Sequence, residues 1–344
     1  MRLKENPYAY VRTRVMKTLL LKRADYDKIL KMEAAEIARF LSEMAYKKEI
    51  DELASRISGI DLLESALNAN LSNTMAKLKR MSDEDLKKVI NIYLKRWDYE
   101  NVKILVRGIS TKANKDYTSN LLIPLGELDR KSLGEMSKLN EAAEVLRKSE
   151  LFSSSDIKKL LEMHEANPSA LENELDQRYY NEVLEFASQL ESTLFKDFLN
   201  SEVEMKNIIA LVRLKRNNVE KKAINDALIK FGKKVVLPMP EKLIGAKGVE
   251  EIFELLKKTN YAKIADYSLK KMKETNSLIE FENAMKRKLL EKTTLLSHQY
   301  PLSVDVILGY MFAKELEASN LKTIIRGKNL NLENEFLSRQ VVVA

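Results

Sequence analysis

Side chains that most often carry out chemistry are scarce in this chain. It has two histidines, His164 and His298, far apart in sequence and without a second ligand at metal-binding spacing. "MHEANP" around His164 lacks the second histidine that would set two imidazoles on one helix face for zinc. "GAKGVE" (245–250) has two glycines, but neither the Gly-Lys-Ser/Thr of a phosphate loop nor the dinucleotide-binding spacing. Cysteine is absent, which excludes disulfides, thiolate metal sites and cysteine nucleophiles. No motif argues for an enzyme, a catalytic residue, a metal or a cofactor.

What recurs instead is a polar frame. "DYENVKILVRG" from Asp98, "EMKNIIALVRL" from Glu204 and "EASNLKTIIRG" from Glu317 each set an acid three residues before an asparagine. Each then places an arginine six residues after that asparagine. On a helix, Glu317 falls on the apolar stripe of Leu321, Ile324 and Ile325, Asn320 on its shoulder, and Arg326 on roughly the opposite face. A buried carboxylate loses several kcal/mol of hydration unless it is paired. The frame therefore predicts that Asp98, Asn101, Glu204, Asn207, Glu317 and Asn320 hydrogen-bond a neighbouring helix or unit. Arg107, Arg213 and Arg326 are expected to face outward, as candidates for partner contact. Gly108 and Gly327, directly after two of the arginines, are expected to supply left-handed helix caps, with the cation complementing the carbonyl end.

The elements carrying this frame are helices. Leu, Lys, Glu, Ala and Asn dominate, with nine glycines and six prolines in 344 residues, so the class is all-α. The frame arginines lie 106 and 113 residues apart, close to a third of the chain. Further columns keep the step: "EIARFLSEMAY", "EAAEVLRKSEL" and "EIFELLKKTNY" align an acid, two apolars and a final Tyr46, Leu151 or Tyr261. A weaker column aligns Leu67-Asn68, Leu175-Asp176 and Phe281-Glu282. The chain is expected to hold three similar multi-helical units, 1–113, 114–219 and 220–344, divided at the polar breaks after the first two frames. Ser82 with Asp85 reads as a capping box, and Ser155 or Asp156 as another helix start.

The net charge of +8 is concentrated in residues 1–24, where seven basic side chains, Arg12 and Arg14 among them, face one acid. The rest of the chain is close to neutral. This segment makes Arg12 and Arg14 further candidates for partner contact and supports an alternative reading, a helical-repeat scaffold that binds nucleic acid there. A chain gripping nucleic acid over a broad face would usually spread its excess more widely. No stretch approaches the roughly 18 apolar residues of a membrane span, and the N-terminus shows no apolar signal core.

The C-terminal third carries finer detail. Pro301-Leu302-Ser303 precedes Gly309-Tyr310, then Lys314-Glu315, Glu317, Asn320-Leu321, Ile324 and Arg326-Gly327-Lys328. With "YAYVRTRVMKTLL" from Tyr8 and "LDQRYY" from Leu175, this resembles the C subunit of archaeal and bacterial A/V-type rotary ATP synthases, the family of the d subunit in eukaryotic V-ATPases. The resemblance spans essentially the whole chain. It departs at Arg213, which lacks the following glycine, and around Trp97. It implies a funnel-like all-α fold with pseudo-threefold symmetry, seated peripherally at the cytoplasmic face of the cell membrane. In that place the protein would couple the rotor shaft of subunits D and F to the membrane proteolipid ring during proton or sodium transport. It further implies no catalytic site, no cofactor, no small-molecule substrate and no nucleic acid.

Overall fold

The computed structural model describes residues 6–191 and 193–343. The first helices are α1 (Pro7–Lys17), α2 (Arg23–Ile29), α3 (Ala34–Ser42), α4 (Lys47–Leu53) and α5 (Gly59–Met81). Next come α6 (Glu84–Leu94), α7 (Arg96–Ser110), α8 (Lys115–Leu121), α9 (Arg130–Met136), α10 (Ala142–Lys148), α11 (Ser154–Ala166) and α12 (Pro168–Ser188). After α13 (Leu194–Arg216) and α14 (Lys221–Ala227), β1 (Lys230–Phe231) and β2 (Lys234–Val235) form a short antiparallel hairpin. Gly232 takes positive φ in its turn. The chain continues through α15 (Pro240–Gly245), α16 (Val249–Leu256), α17 (Ala262–Thr275), α18 (Ile279–Gln299), α19 (Val304–Asn329) and α20 (Asn334–Gln340). The protein is all-α apart from this hairpin.

Caps explain where several helices begin. Asn6, Asn114, Asp129 and Asn167 each accept a backbone N–H of the first turn, and Pro7 and Pro168 sit where a missing N–H costs nothing. Two expected caps are displaced. Asp83, not Ser82, caps α6 by accepting from Leu86 N at 2.9 Å. Ser82 is buried, and its hydroxyl donates to Leu78 O at the end of α5. Ser153, not Ser155 or Asp156, caps α11, accepting from the N–H of Asp156. In each case the residue in extended conformation immediately before the first helical one takes the capping position.

Two compact units form. One comprises Asp83–Thr193 and Ala227–Val235; the other comprises residues 6–82, Leu194–Asp226 and 236–343. Compactness thus groups the chain differently from the sequence repeat. In the first unit α7 packs on α12 and α10, and α12 on α11. The Gln177 side chain of α12 seats the hairpin, donating to Lys230 O at 2.6 Å and accepting from Lys230 N at 2.8 Å. The second unit is built on α19, which packs against α1, α5, α13, α18 and α20. Val304 to Lys314 are buried without a break, the pattern of a helix enclosed on all sides. Gly309 admits α18 closely, since a Cβ there would stand 3.1 Å from Thr293 Cβ.

Candidate functional site

The three frames lie on α7, α13 and α19, and their asparagines are buried: Asn101 at 0%, Asn207 at 1% and Asn320 at 5% exposure. Asn101 Nδ2 donates to Ile123 O at 2.8 Å while its Oδ1 accepts from Ile123 N at 2.9 Å. Asn320 does the same with Val342, at 2.8 and 3.1 Å. Asn207 Nδ2 donates to Val236 O at 3.1 Å. A primary amide presents one donor and one acceptor side by side, like a peptide unit. It can therefore satisfy an extended segment of backbone that has no sheet to join. The partners lie on non-helical backbone 22 to 29 residues downstream rather than on a facing helix.

The acids are held differently. Asp98 accepts from Glu127 N at 2.8 Å and Leu128 N at 3.0 Å. Gly126 permits this approach: a Cβ there would fall 2.1 Å from Asp98 Oδ2. Burial holds the Asp98 carboxyl above the usual carboxylate range, with the two backbone donors pulling it the other way. Glu317 accepts from three donors, Leu21 N at 2.6 Å, Tyr46 Oη at 2.6 Å and Lys314 Nζ at 2.7 Å. Lys314 also donates to Tyr46 Oη at 3.0 Å and lies 4.2 Å from that ring's centre. Glu204 bonds the Tyr261 side chain, and Lys288 lies 4.7 Å from the Tyr261 ring centre. Burial first, and the glutamate second, push both phenols far above their ordinary range.

The two tyrosines are the first and third members of one sequence column, whose second member is Leu151. Where the column has a hydroxyl, the frame acid is a glutamate that reaches it. Where it has leucine, the acid is the shorter Asp98, bound to a loop instead. That correlation between columns is the signal from which the tyrosines could have been found in the sequence.

The arginines are exposed yet bonded within the chain. Arg107 forms a two-pronged pair with Glu172 at 2.9 and 2.7 Å, and Arg326 with Glu64 at 2.6 and 2.8 Å. Arg213 pairs with Glu282 in the same manner. Thus α7 joins α12, α13 joins α18, and α19 joins α5. One turn earlier on α7, buried Lys103 meets Asp176 at 2.7 Å. Counted from Arg326 and Glu64, Lys322 on α19 and Asn68 on α5 hold the positions that Lys103 and Asp176 hold beside Arg107 and Glu172, and the buried Oδ1 of Asn68 has no partner among the described residues. Burial pushes the Lys322 ammonium down to about 8, with Arg326 adding to the effect.

Gly108 and Gly327 are not the left-handed caps expected of them. Both lie inside helices, and positive φ falls five residues after each arginine, at Lys112, Asn218 and Asn331. One residue further on, Ala113, Val219 and Leu332 donate to the carbonyls of Gly108, Leu214 and Gly327, closing all three helices alike. The two glycines make room for neighbouring helices: a Cβ would stand 2.9 Å from Thr118 Cγ2 at Gly108 and 2.1 Å from Leu337 Cδ2 at Gly327.

Arg12 and Arg14 lie exposed on α1. His164 Nε2 is 2.8 Å from Ser110 Oγ, and His298 is exposed on α18. Among the described residues no three His, Cys, Asp or Glu side chains gather as metal ligands, and no helix is long and apolar enough to cross a membrane. A cleft of about 360 Å³ opens beside the Glu317 cluster, lined by Leu21, Tyr26, Leu290, Asn320 and Val342.

Fold and frame together define a class: an all-helical protein whose recurring acid, amide and arginine side chains are fastened to its own backbone and helices. Residues 9–340 match the family model described as ATP synthase (C/AC39) subunit, and the chain belongs to that family. The C subunit of the A-type ATP synthase of Methanosarcina acetivorans is 36% identical over 345 residues, covering 98% of this chain and 92% of the relative. That of Methanococcoides burtonii is 34% identical, covering 98% and 94%. That of Archaeoglobus fulgidus is 31% identical, covering 98% and 96%.

Proposed function

We propose that this member of the ATP synthase is a non-catalytic part of the central stalk. It would couple a shaft of subunits D and F to the membrane proteolipid ring, at the cytoplasmic face of the membrane, during proton or sodium transport. We further propose that residues 1–113, 114–219 and 220–344 are three copies of one helical unit, with the frame residues as internal fastenings. The observation that carries the reading is the thrice-repeated arrangement of buried asparagine, bonded acid and bidentate arginine. A coupling part must transmit torque without yielding, and polar side chains whose bonds are made inside a close-packed helical body favour stiffness. The arginines' bidentate pairs serve this internal role, which leaves their contact with a partner as a weaker second proposal.

The reading is tested by preparing the synthase without this chain and adding it back. ATP hydrolysis by the catalytic head should persist without it, while ion pumping should vanish and return on addition of the purified chain. Pumping that is indifferent to the chain, or ATP hydrolysis by the purified chain alone, would contradict the reading.

A further inference from the structure

Five arginines stand out in the sequence, and three are paired inside the fold. Among the described residues neither Arg12 nor Arg14 has a carboxylate within ion-pair distance. Both lie on α1, which buries Ala9, Tyr10, Thr13 and Met16 and packs on α19 and α5. The outer face of the same helix is also apolar. Tyr8 is 62% exposed, Val11 55%, Val15 56%, and Leu19, in the closing turn, 61%. Their spacing of three, four and four residues keeps them within about 80° of the helix circumference at 3.6 residues per turn. Arg12 and Arg14 fall on opposite sides of that stripe.

An apolar seam at this spacing, with charges on both flanks, is the pattern by which one helix receives another. The stripe is narrow for a helix that lies in a membrane surface, where a broad apolar face is needed to enter the lipid. A second copy of this chain docking through the same stripe would set arginines against arginines, which disfavours self-association. Charge complementarity instead selects an acidic partner. We propose that the outer face of α1 seats one amphipathic helix of another protein of the ATP synthase, its apolar seam flanked by aspartate or glutamate. The proposal rests on family membership, which places the chain among other subunits, and not on the central-stalk reading.

A photo-crosslinking benzophenone residue at Val15 in the assembled synthase tests this directly. The expected product joins Val15 to a helical peptide of another subunit whose apolar residues are flanked by acids. Products with lipid, with a second copy of this chain, or none at all would overturn the proposal. A crosslink to a protein of neither shaft nor ring would uphold the docking surface while contradicting the central-stalk reading. The double substitution Val11→Asp, Val15→Asp supplies a second measurement, because both side chains are exposed and the melting curve should match the wild type. Retention of the full chain by synthase depleted of it should weaken by at least about tenfold. Unchanged retention would overturn the proposal. Retention of the wild type should fall as salt rises, and Arg12→Gln with Arg14→Gln should weaken it and flatten that dependence. An unaltered salt dependence would count against the arginines' part.

Discussion

At the scale of residues, Glu317 carries the sharpest consequence. The residue is 4% exposed, and its carboxylate survives burial because a backbone N–H, a phenol and an ammonium all donate to it. Glu317→Ala would strand Lys314 without its counter-ion. It should lower the unfolding free energy by about 3–5 kcal/mol, measured by denaturant titration. Tyr46→Phe removes one hydrogen bond and should cost about 1–2 kcal/mol. An unchanged midpoint for both would remove the role of the cluster. Lys322 makes a prediction of opposite sign. Its folded pKa, lowered from 10.5 to about 8, means that the unfolded chain holds the extra proton between those values. Stability from this group should therefore rise as pH rises from about 8 to 10.5. Asn68→Asp, which copies the Asp176 that pairs with Lys103, should supply the missing counter-ion. It should flatten that rise and increase stability at pH 7; a profile identical to wild type would contradict the shared register.

At the scale of elements, the helices were legible because apolar residues keep helical spacing around each frame. The buried acid and amide positions were readable from the same wheel. Distant partners left less trace: Tyr46, 271 residues from Glu317, is marked only by the correlation between columns, and Glu64, the partner of Arg326, lies 262 residues from it. The true left-handed caps, Asn218 and Asn331, carry a signal in their residue type. Glycine is the stronger cap signal, and it stands after two of the arginines for a different reason. Gly108, Gly126 and Gly327 serve close approach, which depends on what packs against them and leaves no local mark. A paired substitution separates the roles of glycine. Gly327→Ala should lower stability by about 1–3 kcal/mol through its clash with Leu337 of α20. Gly134→Ala, with nothing within 4 Å of the new Cβ, should be neutral or stabilise by about 0.5–1 kcal/mol. Equal effects at the two sites would show that packing is not what selects glycine at 327.

At the scale of the whole molecule, the polar fastenings and the family assignment bear on one claim, that the protein is a working part of a rotor. The absence of cysteine helps to test it, since a single Lys131→Cys substitution on the exposed face of α9 gives a unique labelling site. With the catalytic head of the assembled synthase fixed to a surface, a bead attached at that cysteine should rotate on addition of ATP, in step with a bead on the shaft. A bead that stays still while the shaft turns would contradict the account.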